Sequence, residues 1–217
     1  MKKQNKFLQD IFPVPLWMGN FYVKETNDKI VDLVKFFKAN IGEAALVGKG
    51  WDSQETSSQK QIKDKLGITS FKNCNLAEVP EWNEIKQKIE NWSNYAIKDS
   101  WDVDLKIHNM WTTIYPEQSF IPEHTHAGYL LSGVYYAKAH EGCGDILFHD
   151  PAWVAKSMML AGNSTFPIGG TREHRSPKSG DLILFPSWLP HSTEPNETNE
   201  DRIIVSFNFT FGGGNYQ

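Results

Sequence analysis

Three histidines and one arginine carry the chemistry that this sequence can be asked to perform: His124, His126, His191 and Arg202. Side chains at positions i and i+2 of an extended segment project from the same face, so the imidazoles of His124-Thr125-His126 can converge on one ion. A third imidazole from a distant strand completes a facial set and leaves coordination sites open. Imidazole suits iron, zinc, copper and nickel alike, so the ligand type does not choose the metal. The chain holds seven histidines, and a single His-x-His pair arises easily by chance, so its setting decides its weight. The pair follows the turn-like Ile121-Pro122-Glu123 and stands ahead of a strand, and His191 closes the segment Phe185-Pro186-Ser187-Trp188-Leu189-Pro190. His108, His140, His149 and His174 lack comparable partners and read as surface residues or supports of the site.

Arg202 opens the most regular strand pattern of the chain. Ile203, Val205, Phe207, Phe209 and Phe211 make one apolar face, while Arg202, Ser206, Asn208 and Thr210 point the other way, interrupted only by Ile204. A polar face this regular either meets solvent or lines a cavity. A guanidinium grips a carboxylate through two parallel N–H donors, which an ammonium cannot do with the same geometry. The alternative for Arg202 is a surface ion pair with Glu200 or Asp201.

The elements that must position these groups change character along the chain. Ile11 to Phe21 is extended, and its prolines suit an edge strand. A first helix follows, with Ile30, Leu33, Val34, Phe37 and Ile41 on one face, Thr26 or Asn27 as its cap and Gly42 as its end. Residues 48–62 read as a polar loop. A second helix has Pro80 in its first turn and Trp82, Ile85, Ile89 and Trp92 as its stripe, and both stripes read as core packing. From Leu105 the period changes to two, with strands expected at Leu105–Tyr115, Tyr129–Lys138, Asp145–His149, Asp181–Phe185 and Arg202–Phe211. Strands in succession without intervening helices favour a sandwich or barrel. The stretch Pro151–Ser179 is either a lid over the site or a plain connecting loop.

Composition narrows the function class. A chain of 217 residues with 40% hydrophobic content forms one substantial core but is marginal for two domains. The net charge of −4 gives no electrostatic case for nucleic acid or an anionic membrane. Cys74 and Cys143 match no zinc spacing and read as buried or free thiols of a reducing compartment, with a single disulfide as the alternative. The basic start is followed by Asp10, Pro13 and Pro15, which interrupt any signal-peptide core, and no apolar run reaches membrane-spanning length. A soluble, cytoplasmic protein is expected (in the host cytoplasm if phage-encoded), with its oligomeric state open.

These motifs resemble a known family. His124-Thr-His126, Leu131-Ser-Gly-Val-Tyr-Tyr136, Phe148-His-Asp-Pro151, Gly180-Asp-Leu-Ile-Leu-Phe-Pro-Ser-Trp-Leu-Pro-His191 and Arg202-Ile-Ile-Val-Ser-Phe-Asn208 are similar to the 2-oxoglutarate-Fe(II) oxygenases of bacteria and cyanophages, a group related to prolyl hydroxylases. The resemblance runs from Trp111 to Phe211, with only Phe12-Pro-Val-Pro and the helical pattern matching before it. It implies a mainly β protein with flanking N-terminal helices, built on a double-stranded β-helix, the cupin-like jelly roll. Residues 1–104 would then be the helical and extended support and 105–213 the catalytic core of a single domain. It further implies Fe(II) held by His124 and His191, 2-oxoglutarate as co-substrate, O2 as oxidant, and a hydroxylation of an unidentified small molecule or peptide. Tyr136 and Arg202 fall where the family grips the far carboxylate of 2-oxoglutarate. Tyr115 borders that pocket, and Asn208 and Ser206 either line it or bond within the barrel.

One position departs from the family. Where the wider superfamily has a carboxylate two residues after the first histidine, this chain has His126. Either His126 is the third ligand, or Asp150 or Glu123 supplies a carboxylate from elsewhere. Two other functions stand beside the first: a three-histidine cupin dioxygenase that needs no 2-oxoglutarate, and a non-enzymatic jelly-roll binding or virion protein.

Overall fold

The computed structural model describes residues 13–41, 66–70, 75–101, 103–154 and 171–211. The loop expected at 48–62, Phe12, Cys74, Gly42 and most of the stretch between 151 and 179 lie outside the described residues. Nine strands are present among those described: β1 Trp17–Asn20, β2 Ile68–Thr69, β3 Leu105–Tyr115, β4 Leu131–Lys138, β5 Ile146–His149, β6 Arg172–Arg175, β7 Asp181–Pro186, β8 His191–Thr193 and β9 Arg202–Phe211. Two α-helices, α1 Lys24–Ile41 and α2 Asn83–Ile97, precede β3. β3 and β9 occupy the ranges expected from alternation alone, and β1 is the edge strand that the prolines foretold.

The strands form two antiparallel sheets. The larger has the order β1-β7-β4-β9-β3-β2 and the smaller β6-β5-β8. Two apolar layers result, one on each side of the larger sheet. On the outer side, Leu131, Tyr135, Leu182, Leu184, Val205, Phe207 and Phe209 pack against Ile30 and Val34 of α1 and Ile85, Ile89 and Ile97 of α2. On the inner side, Tyr115, Val134, Tyr136, Ile183, Phe185 and Ile204 meet Ile146 and Phe148 of the smaller sheet. The alternation of β9 is thus buried on both faces, and its polar side looks into the interior: Arg202 and Asn208 are 1% and 2% exposed.

Several expectations give way to tertiary packing. Thr26 and Asn27 do not cap α1, which starts at Lys24 and holds both inside its first turns. Their polar atoms fix the helix to its neighbours instead: Asn27 Nδ2 donates to the Ala137 carbonyl at 2.7 Å, Tyr135 donates to Asn27 Oδ1 at 2.7 Å, and Lys88 donates to Thr26 Oγ1 at 2.7 Å. Pro80 opens a short 3-10 turn, Pro80–Trp82, that leads into α2. Within the stretch read as lid or loop, Arg172–Arg175 forms β6, paired to β5. Cys143 is a buried free thiol.

A register shift between Ile107 and Asn109 makes His108 the extra residue of a bulge in β3. Before it Leu105 and Ile107 face the helices, and beyond it Trp111 and Tyr115 face the interior while Met110 and Ile114 face the helices. At Gly133 the outer layer leaves no room for a side chain: a Cβ there would lie 2.3 Å from the Phe207 ring and 2.7 Å from Leu184. Gly133→Ala is expected to lower unfolding free energy by about 1–3 kcal/mol through overpacking, read as a lower urea midpoint with an unchanged m-value. An unchanged midpoint would mean that the Phe207 ring moves aside at no cost.

Candidate metal and dicarboxylate site

Backbone pairing brings the first and last histidines together. His124 and His191 form an antiparallel bridge in which each N–H donates to the other's carbonyl at 3.0 Å. The N–H of His126 donates to the Ser187 carbonyl at 2.8 Å, which ties the pair to the turn just ahead of β8. The ring centroids of His124 and His191 are 4.3 Å apart, and that of His126 is 5.1 Å and 5.0 Å from them. One ring nitrogen from each lies within 4.8 Å of the others, the spacing of a metal-binding group.

Hydrogen bonding selects which nitrogen that is. The Nδ1 of His124 faces the Pro122 carbonyl at 2.9 Å, and that of His191 faces the Leu189 carbonyl at 2.9 Å. The Nδ1 of His126 faces Asn208 Oδ1 at 2.6 Å, with Ser132 Oγ at 2.9 Å. A carbonyl oxygen only accepts, so each Nδ1 carries the hydrogen and each Nε2 keeps its lone pair for a cation. The main chain orients His124 and His191, and side chains orient His126. Asn208 Oδ1 also accepts from Ser132 at 2.7 Å, its Nδ2 donates to Asn109 Oδ1 at 2.9 Å, and Ser132 reaches Ser187 at 2.8 Å.

Burial keeps these imidazoles neutral. It lowers the pKa of His124; it holds that of His126 at about 4, partly offset by the bond to Asn208. His191 is driven well below the usual histidine range by burial and by its two neighbours. Neither carboxylate weighed as an alternative ligand stands in that three-histidine group among the described residues. Glu123 pairs with His149 Nδ1 at 3.1 Å, and Asp150 Oδ1 accepts the Ala152 N–H at 2.8 Å. Phe185 and Phe148, with centroids 4.5 Å and 6.4 Å from His191, wall the group off from β5 and β7.

Arg202 is held a short way along the same interior. Its guanidinium lies 4.0 Å from the centroid of the Tyr115 ring, and Nη1 donates to the Cys143 and Gly144 carbonyls at 2.6 Å and 2.7 Å. Nε and Nη2 are buried and make no hydrogen bond among the described residues. The surface ion pair with Glu200 or Asp201 does not form; Glu200 pairs with Lys138 at 3.0 Å. Tyr136 is buried on the interior face of β4, and Tyr115 is pushed up to about 12 by burial, offset in part by the charge of Arg202 and a bond to Thr193. Burial also raises Tyr136, so both phenols stay protonated. Ser206 lies on the same face of β9, opposite Trp111 and Val134.

Ser132, Ser187, Asn109 and the Cys143–Gly144 carbonyls are the site residues that sequence reasoning passed over. Asn109, Ser132 and Asn208 face one another in register across β3, β9 and β4, a signal visible only once the pairing is known.

Residues 109–208 match the family model described as "Putative 2OG-Fe(II) oxygenase". This stretch is similar to 2OG-Fe(II) oxygenase domains. The match spans all three histidines, both tyrosines, Arg202, Ser206 and Asn208. Among solved structures, the oxygenase fold is shared with the carbocyclase SnoK from nogalamycin biosynthesis, at 10% identity and a TM-score of 0.62, covering 94% of this chain and 84% of that one. HygX from Streptomyces hygroscopicus, solved with nickel and 2-oxoglutarate bound, is similar at 11% identity and a TM-score of 0.58, covering 90% and 82%. A Pseudomonas putida prolyl-4-hydroxylase is similar at 13% identity and a TM-score of 0.54, covering 92% and 94%. The fold is therefore the jelly-roll, double-stranded β-helix expected from the sequence. The search of curated proteins finds no match by sequence.

The depressed imidazole pKa values set a pH dependence for the metal-free protein. Below the unfolded value of 6.5 the unfolded chain binds protons that the folded chain refuses, so stability is full above 6.5 and falls as pH drops towards about 4. Thermal melts of the metal-free protein from pH 7.5 to 4.5 should show this loss, and H126Q should lose less over the same range. A variant profile as steep as the parent's would place the titration elsewhere.

Proposed function

We propose that this oxygenase domain hydroxylates a C–H bond of a small-molecule or peptide substrate, with Fe(II) held by His124, His126 and His191. The observation that carries the reading is the pairing of two features in one barrel interior. Three neutral imidazoles present bare Nε2 atoms, and a buried arginine presents an unused pair of donors. The family uses Fe(II) and 2-oxoglutarate, and the residues present fit both groups. When bound, iron and 2-oxoglutarate supply the oxidising chemistry, consuming O2 and releasing succinate and CO2.

The chain's own residues do the rest. The backbone bridge and the three Nδ1 bonds hold the imidazoles in place before any ion arrives, which lowers the cost of ordering them. Arg202 offers its Nε and Nη2 edge to the far carboxylate of the co-substrate, a bidentate charge-assisted grip. Tyr136 and Tyr115 remain protonated, so Tyr136 can donate to that carboxylate and Tyr115 fixes the plane of the guanidinium. Phe148, Phe185, Ile183 and Ile204 keep the space between the two groups dry, which strengthens every polar contact in it. Ser206 and Asn208 complete the β9 wall, and Asn208 acts through His126 rather than on the co-substrate.

A set of three imidazoles carries no ligand charge. The ion then keeps its full charge, which a dianionic co-substrate neutralises better than water does, so Fe(II) retention should depend strongly on 2-oxoglutarate. Hydroxylation is the reading that the prolyl-4-hydroxylase likeness favours, while the carbocyclase on the same fold marks the range of outcomes. We read residues 1–104 as the support and 105–213 as the catalytic core, since α1 and α2 pack on the outer layer of the larger sheet. No described helix is long and apolar enough to cross a membrane, and we assign the protein to the cytoplasm.

Anaerobic addition of Fe(II) and 2-oxoglutarate to the folded protein should produce a weak visible charge-transfer band, followed by succinate release on admitting O2. No band in folded, metal-loaded protein would overturn the reading. The same titration with R202A should require at least about tenfold more 2-oxoglutarate, the loss expected for one charge-assisted pair. An oxygenase that dispenses with 2-oxoglutarate would be indifferent to that change.

A further inference from the structure

The guanidinium of Arg202 is oriented by a main-chain feature that lies outside the barrel's regular strands. Gly144 ends the turn before β5 with φ +87°, a conformation that L side chains rarely adopt. A Cβ at this position would lie 2.5 Å and 2.6 Å from the Glu194 and Pro195 carbonyls and 3.0 Å from Arg202 Nη1. The turn is locked to β8 and its exit, since the Glu194 N–H donates to the Asp145 carbonyl at 2.8 Å and the Glu197 N–H to the Gly142 carbonyl at 3.0 Å. Two successive carbonyls, of Cys143 and Gly144, then point at one nitrogen of Arg202.

Nη1 bears two hydrogens, and the two carbonyls take both. Contact with the Tyr115 ring fixes the remaining rotation about the long axis of the side chain. A planar guanidinium held at one nitrogen and one face has no freedom left, so its opposite edge, Nε and Nη2, stands at a set depth in the interior. We propose that the Cys143–Gly144 turn is a positioning element that sets this depth and thereby selects the length of the dicarboxylate that would span from Arg202 to an ion held by the three imidazoles. The proposal rests on the reading of Arg202 as the co-substrate anchor. It adds that the arginine's charge alone is insufficient, and that the turn makes the site read the five-carbon 2-oxoglutarate against its four-carbon and six-carbon homologues.

The turn also explains why lysine should fail at this position. An ammonium has no second edge, and two converging carbonyls would draw it towards themselves and away from the co-substrate. The test is isothermal titration of 2-oxoglutarate, oxaloacetate and 2-oxoadipate into the Ni(II)-loaded parent protein and the variants G144A, R202K and R202A, with Ni(II) affinity and thermal melting measured alongside. G144A should bind 2-oxoglutarate about tenfold more weakly, as expected for a misaligned bidentate pair. It should also lose preference among the three acids and keep its Ni(II) affinity. R202K should bind 2-oxoglutarate as weakly as R202A. The proposal is overturned by a folded G144A that retains both affinity and length preference, or by an R202K that stays within about threefold of the parent while R202A does not. Should G144A not fold, R202K decides. If R202A itself binds 2-oxoglutarate normally, the anchor reading falls, and the turn's role with it.

Discussion

A positive charge inside a protein is costly unless its surroundings answer it. Arg202 is almost wholly buried, and among the described residues no carboxylate pairs with it. Two main-chain carbonyls and the face of Tyr115 supply partial compensation. The barrel thus holds an electrostatic demand that a bound carboxylate would meet and that water-excluded apolar neighbours sharpen. Much of the surrounding order serves that demand: the inner apolar layer, the glycine turn before β5 and the inward polar face of β9.

The three imidazoles pose the complementary problem. They must stay neutral, convergent and correctly protonated at a site that has no built-in negative charge. Burial keeps them neutral, the bridge between His124 and His191 makes them converge, and acceptor oxygens at every Nδ1 choose the tautomer. His126 differs from the other two in being oriented by a side-chain network of Asn208, Ser132, Asn109 and Ser187. That network is shaped for an imidazole. A carboxylate at 126 would meet the lone pairs of Asn208 Oδ1, so the departure from the wider superfamily is matched by its surroundings.

Where a segment's fate was decided by its own residues, the sequence could be read. β3 and β9 alternate so regularly that their limits follow from the pattern, and the stripe from Trp82 to Ile89 in and before α2 needs only helical spacing. Legibility failed where neighbours decide. Thr26 and Asn27 look like helix caps because short polar side chains favour caps, yet here Ala137, Tyr135 and Lys88 claim them. β6 is exposed along most of its length and has no apolar alternation to betray it, and β8 is only three residues long. The histidine set and Arg202 were legible as types and spacings. The supporting network was not, because Asn109, Ser132 and Asn208 become neighbours only through pairing between strands remote in sequence.

The bulge at His108 reaches further than its single residue suggests. A strand whose side chains alternate keeps one parity from end to end unless something inserts a half-step, and β3 must serve two different cores. Its beginning feeds the layer under the helices, and its end supplies Trp111 beside His126 and Tyr115 beneath Arg202. The unpaired residue is the phase change between those duties. Drawing it into the ladder as an ordinary paired residue would turn half of the strand inside out, sending Tyr115 towards the helices and Ile114 into the place where a cation-bearing side chain now rests.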